Sequence, residues 1–161
     1  MPIRICIIDG QGGGIGSAII KRLKLVFGET VEILALGTNA IATAQMLKAK
    51  ANRGATGENA IIQTVRRADI IAGALSIVLA HAMMGEVTPA IAGAVAASPA
   101  PKFLLPLCQE NTTIVGSPKD PLPHLVEELV DLHIKSIILA AEPTPMSHKR
   151  NGEKLQKPDE Y

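Results

Sequence analysis

Three features of the chain predict a three-layer α/β fold. An apolar strand runs straight into a glycine-rich turn and a helix, strand and helix patterns alternate along 161 residues, and aromatic side chains are nearly missing. Such alternation calls for a mainly parallel sheet with helices on both faces, joined by right-handed crossovers. With no Trp, one Tyr and two Phe, the core has to be built from Ile, Leu, Val and Ala, which suits helices lying close on aliphatic strands. A chain of this length buries about 70% of the surface its unfolded form exposes, enough for an independent core.

Residues 4–8 (Arg-Ile-Cys-Ile-Ile) read as a buried strand, and from Ala18 onward apolar residues recur at helical spacing. Residues 31–36 form a second strand, followed by Gly37-Thr38-Asn39 and a helix over 40–50 that Thr38 or Asn39 caps. The stretch 52–59 reads as a polar loop before a short helix over 60–67, and the third strand is expected at 69–72. Ser76 caps a helix that stops at Gly85, and Thr88-Pro89 opens another in the favoured order. A fourth strand is expected at 102–107 and a fifth at 112–115. Their connection is too short for a crossover helix, which predicts an antiparallel edge strand. A last helix over about 122–140 carries Leu122, Leu125, Val126, Leu129 and Val130 on one face. The simplest strand order is 3-2-1-4-5, in one domain over 1–141, with a polar tail at 142–161 that shows no core pattern.

The segment Asp9-Gly10-Gln11-Gly12-Gly13-Gly14-Ile15-Gly16 places five glycines in seven positions between the first strand and its helix. One or two glycines suffice for a tight turn. Each further one costs conformational entropy, so the excess points to a phosphate approaching the backbone at the helix N-terminus. Gly10, Gly14 and Gly16 match the G-x-x-x-G-x-G turn of short-chain dehydrogenases and not the stricter G-x-G-x-x-G. Aligned instead on a triphosphatase phosphate loop, Ser17 stands where the lysine belongs and Ala18 where the magnesium-binding hydroxyl belongs, so triphosphate hydrolysis is not expected.

In the predicted strand order the loops after the first two strands and the turn ending at Ser76 share the carboxyl edge, near the switch point where ligands bind. The end of the second strand, where an acid usually accepts ribose hydroxyls, holds Gly37, Thr38 and Asn39. Thr38 and Asn39 suit a ribose or a 2′-phosphate and Arg53 would neutralise the latter, which tilts a dinucleotide reading from NAD toward NADP, another adenine nucleotide being the alternative cofactor. Capping by Thr38 or Asn39 and a solvated Arg53 are the competing roles. Residues 56–59, including Asn59, supply another helix N-terminus. Asp9 is expected to order the loop through backbone N–H groups, since a bare carboxylate would repel phosphate.

Catalytic groups are less evident. His81 sits in an apolar stretch, His124, His133 and His148 share no pattern, and the Tyr-x-x-x-Lys pair of short-chain dehydrogenases is missing, the single tyrosine being Tyr161. Cys6 and Cys108 lack metal-ligand spacing and read as reduced core thiols of a cytoplasmic protein. Met1-Pro2 leads directly into the first strand, leaving no signal peptide in the reading, and the apolar stretches are too broken for a membrane span. A net charge of +1 and the lack of an aromatic platform give no reason to expect nucleic acid as a partner.

The blocks at 9–16, 35–40, 52–60 (Asn-Arg-Gly-Ala-Thr-Gly-Glu-Asn-Ala) and 85–90 (Gly-Glu-Val-Thr-Pro-Ala) together resemble a family of short bacterial proteins of unknown function with a Rossmann-like fold. The resemblance spans residues 1 to about 130 and rests mainly on the block at 52–60. It implies the fold and nucleotide binding, and brings no activity with it.

Three functional classes remain. The first is a nucleotide- or dinucleotide-binding sensor or regulatory module that takes a phosphate-bearing small molecule. The second is a small enzyme acting on a nucleotide or nicotinamide cofactor, with Asn39, Asn59, Glu58 or Glu86 in the crevice. The third is a structural oligomer whose glycines serve packing alone. A homodimer is also expected, because Ile77, Met83 and Met84, and then Ile134, Ile137, Ile138 and Leu139, exceed the one face a sheet covers.

Overall fold

The computed structural model describes residues 1–107 and 111–143. Cys108, His148 and Tyr161 lie outside them, as does most of the expected polar tail. Five strands form one sheet in which every pairing is parallel: β1 (Ile3–Asp9), β2 (Val31–Gly37), β3 (Arg53–Thr56), β4 (Ile70–Ala74) and β5 (Lys102–Leu105), in the order β3-β2-β1-β4-β5. The expected Rossmann-like α/β architecture is present.

Two strand assignments change. The segment read as a loop, Arg53–Thr56, is β3, and the stretch read as the third strand becomes β4 beside β1. The antiparallel edge strand expected at 112–115 is not formed. Those residues run without strand pairing, Val115 is almost fully exposed, and the parallel strand β5 closes the sheet instead. A β-branched stretch with no apolar layer to lie on gains nothing from extended pairing.

Helices α1 (Gly14–Phe27), α2 (Ala40–Lys48), α3 (Glu58–Val65) and α4 (Pro89–Ala97) are the crossovers. Strict alternation along β1 sorts its side chains between two cores. Ile5 and Ile7 meet α1 and α2, while Cys6 and Ile8 meet α3 and α4. Each fully buried Ile contributes roughly 1.5–3 kcal/mol.

The chain then runs through α5 (Leu122–Glu127), a wider π-helical turn over Glu128–Ile134 and α6 (Lys135–Ala141), closing the first layer. Arg22 on α1 clamps the wide turn by donating from Nε and Nη2 to the Asp131 carboxylate, and this partner holds the Asp131 carboxyl below the usual carboxylate range. Of the apolar stripe taken as a sign of a partner copy, Ile134 and Ile138 are buried in this core and Ile137 packs against it, while Leu139 is exposed. Ile77 and Met83 are buried likewise, leaving Met84 exposed. Among the described residues no helix is long and apolar enough to cross a membrane.

The helix expected from Ser76 to Gly85 is also revised. A 3₁₀ turn over Leu75–Val78 is followed by a chain of turns in which His81, Met83 and Met84 hold φ values of 67°, 56° and 57° before Gly85 at 89°. The left-handed region costs an L-residue about 1–2 kcal/mol. The segment closes on itself, His81 N donating to Val87 O at 2.6 Å and Val87 N to Ala82 O at 3.1 Å, and buries Ala82, Met83 and Val87.

Candidate functional site

Helices switch faces between β1 and β4, so the crevice of the fold opens at the carboxyl ends of these strands. The strand ends put Asp9, Gly37, Thr56 and Ala74 along that edge.

Asp9 is only 4% exposed. Its Oδ1 accepts the Gly10 N–H and its Oδ2 the Gly16 N–H, both at 2.7 Å. The residue before α1 is Gly13, which has no side chain to cap with, so the strand end supplies the cap in its place. Burial pushes the Asp9 carboxyl up, against the pull of these N–H donors, and the nearby Glu86 charge pushes the same way. The loop-ordering role expected of Asp9 is therefore what its contacts show.

The five loop glycines divide by cause. A Cβ on Gly10 would lie 2.5 Å from Thr38 Oγ1 and 2.6 Å from Met83 Sδ, and one on Gly16 would lie 2.5 Å from Met46 Sδ. Gly13 has φ +72° and would meet Ala42 backbone at 2.8 Å. Gly12 and Gly14 have neither constraint: their φ is not positive and a Cβ would meet nothing within 4 Å. Neither of their N–H groups has a hydrogen-bond partner among the described residues. Gln11, immediately before Gly12, adopts φ 49°. One turn into α1, the Ser17 hydroxyl is buried without a partner.

The second group of expected residues converges on Glu86, which sequence reading had placed among polar groups of the crevice. Glu86 Oε2 accepts the Gln11 N–H at 2.8 Å, and Oε1 accepts from Asn39 Nδ2 and, at 3.4 Å, from Thr38 Oγ1. Asn39 Nδ2 also donates to Gln11 O at 3.0 Å, while its Oδ1 caps α2 by accepting from Ala42 N at 2.8 Å. Asn39, not Thr38, is the cap. Gly37 is needed because a Cβ there would overlap Thr43 Oγ1 at 2.2 Å. Thr43 itself, nearly buried and bonded to Thr56 Oγ1 at 2.7 Å, ties the ends of β2 and β3 together and was missed because a threonine inside a helix carries no pattern of its own.

Other expected residues are not brought to this point. Arg53 begins β3 opposite Leu34, about 10 Å before the carboxyl edge at three residues' rise, and its guanidinium pairs with Glu32 at 2.7 Å. It does not reach the group around Thr38 and Asn39, which removes the ground for preferring NADP. Asn59 is exposed on α3, and its neighbour Glu58 accepts from Thr88 Oγ1 at 2.6 Å. Ser76 lies just past β4 with 5% exposure. No cluster of metal-binding side chains occurs among the described residues.

Residues 4–138 match the family described as a domain of unknown function, DUF3842. The chain belongs to this family. Nothing of curated function matches it. Among solved structures, a universal stress protein in complex with cAMP is similar at 14% identity and TM-score 0.38, over 65% of this chain and 98% of that one. The family match covers the whole crevice, from Asp9 to Glu86.

Proposed function

We propose that the protein is a nucleotide-binding sensor or regulatory module whose ligand, a mononucleotide or dinucleotide, lays a phosphate against the N–H groups of Gly12 and Gly14. The observation that carries this reading is the open, unconstrained state of these two glycines in a loop whose other three are explained by packing or by φ. Glycine without a steric or conformational reason weakens a fold, and close approach of a ligand to the main chain is what offsets that cost. The Ser17 hydroxyl, buried without a partner one turn into α1, is a second unused polar group next to this loop.

Thermal-shift and calorimetric titration with ADP, ATP, GDP, NAD, NADP and flavin mononucleotide tests it. The expected result is a saturable rise in melting temperature with at least one of them, lost in Gly14→Val. A folded Gly14→Val with wild-type affinity would overturn the phosphate contact, and turnover of the bound nucleotide would make the protein an enzyme.

A further inference from the structure

No acid follows β2 in the sequence, yet the structure brings one to that place. Glu86 comes from the turns after β4 and sets its carboxylate on the Thr38 and Asn39 side chains, immediately beyond Gly37 at the end of β2, and on the Gln11 N–H of the glycine loop. The backbone leading to it is held in the left-handed region at His81, Met83 and Met84. Strain of this kind persists only where the surrounding structure fixes it, and here what it fixes is the position of one carboxylate.

We infer that Glu86 is the ribose-selecting residue of the crevice, so that the ligand is a nucleotide with a free 2′-hydroxyl and not one that is 2′-deoxy or 2′-phosphorylated. The inference rests on the nucleotide reading of the glycine loop. A carboxylate accepts at about four lone-pair positions, and protein donors here take up three. A vicinal diol presents two O–H donors, and it can displace the long Thr38 contact without stranding a charge, since Thr38 remains within reach of the diol oxygens. A 2′-phosphate would instead face Glu86 across a partly buried site with Asp9 behind it, and Arg53, the cation that would neutralise it, is paired with Glu32 at the other end of β3. Acid after β2 is the usual ribose acceptor in folds of this order, and in this chain a different element delivers it.

Calorimetric titration of wild type with ADP, 2′-deoxy-ADP and adenosine 2′,5′-bisphosphate, repeated with GDP and 2′-deoxy-GDP, tests the inference without any variant. The ribonucleoside diphosphate should bind at least about tenfold more tightly than its 2′-deoxy form, the worth of a charge-assisted hydrogen bond, and adenosine 2′,5′-bisphosphate more weakly still. Glu86→Ala should bring the ribonucleotide down to the 2′-deoxy level and leave the latter unchanged. Equal binding of ribo and 2′-deoxy forms to wild type overturns the role of Glu86 and leaves the glycine-loop reading standing. Binding of none of the five probes, and of none of the nucleotides titrated for the glycine loop, overturns both. A folded Glu86→Ala that binds every probe more tightly would make Glu86 an obstacle to the ligand and overturn the selection.

Discussion

Gly16 and Met46 lie so close that a Cβ on the glycine would stand 2.5 Å from the Met46 sulfur, whereas a Cβ on Gly14, two residues earlier, would touch nothing. Opposite stabilities follow for the same substitution. Gly16→Ala should cost about 1–3 kcal/mol through overpacking against a fully buried methionine. Gly14→Ala should gain about 0.4–1 kcal/mol by restricting the unfolded chain, and weaken nucleotide binding. Denaturant unfolding of the two variants checks this, and a shift of the same sign in both would contradict the division of the loop.

Removing the Asp9 carboxylate strands buried N–H groups of Gly10 and Gly16, so Asp9→Ala should lose roughly 2–6 kcal/mol, each orphaned donor costing about 1–3. The pH dependence has a defined sign. Because the folded carboxyl titrates above its ordinary value, the native state keeps its proton to higher pH than the unfolded chain. This term favours the fold most below the unfolded value and fades as pH rises through the folded one. Urea unfolding followed from about pH 3 upward should show that slope in wild type and not in Asp9→Asn.

Ile138 is 6% exposed and packs in the core between the sheet and α1, while its neighbour Leu139 is 56% exposed. Ile138→Glu should therefore abolish cooperative unfolding, because the charge would be buried without a partner. Leu139→Glu should change stability by less than about 0.5 kcal/mol. A folded, merely smaller species of Ile138→Glu by light scattering would restore the reading of that stripe as a contact between copies.

Arg53→Ala removes a pair whose guanidinium side chain is 69% exposed, so the loss of stability should stay within about 1 kcal/mol. Affinity for NADP and NAD should be unaltered in the same titrations. A selective loss of NADP binding would return Arg53 to the crevice.

Burial pushes the Cys6 thiol up to about 12, and the side chain lies inside β1 with no exposure. Iodoacetamide at pH 8 should leave Cys6 unmodified in the folded protein and alkylate it once urea unfolds the chain, as read by peptide mass spectrometry. Labelling of Cys6 at the rate of a free thiol under native conditions would mean that β1 opens readily.

The sequence made the sheet legible where a segment's own pattern decides its structure. β1, β2 and the strand at Ile70–Ala74 are mainly aliphatic, and the glycine loop announces the turn between β1 and α1. Arg53–Thr56 escaped because an edge strand of four residues, mostly exposed, is defined by pairing with β2 and not by its own hydrophobicity. The stretch after β4 escaped for another reason: Ile77, Ala82, Met83 and Val87 are buried by an irregular backbone, and apolar spacing alone does not separate that from a helix. Thr38, Asn39 and the glycines were legible as a crevice because they end or follow strands. Glu86 was harder to weigh, since its meeting with Gln11 across 75 residues depends on those left-handed turns, which no local pattern foretells.

Both outer strands, Arg53–Thr56 and Lys102–Leu105, are four residues long and open on a cation. Open sheet borders invite a foreign strand to add itself, and shortness with charge is how natural sheets resist that invitation. The Lys102 ammonium is further engaged, donating to Ala100 O at 3.1 Å and to Ser98 O at 2.5 Å, which anchors the cation beside its border. Shortness and charge at both margins thereby work against strand-to-strand self-addition of the kind that builds fibrils.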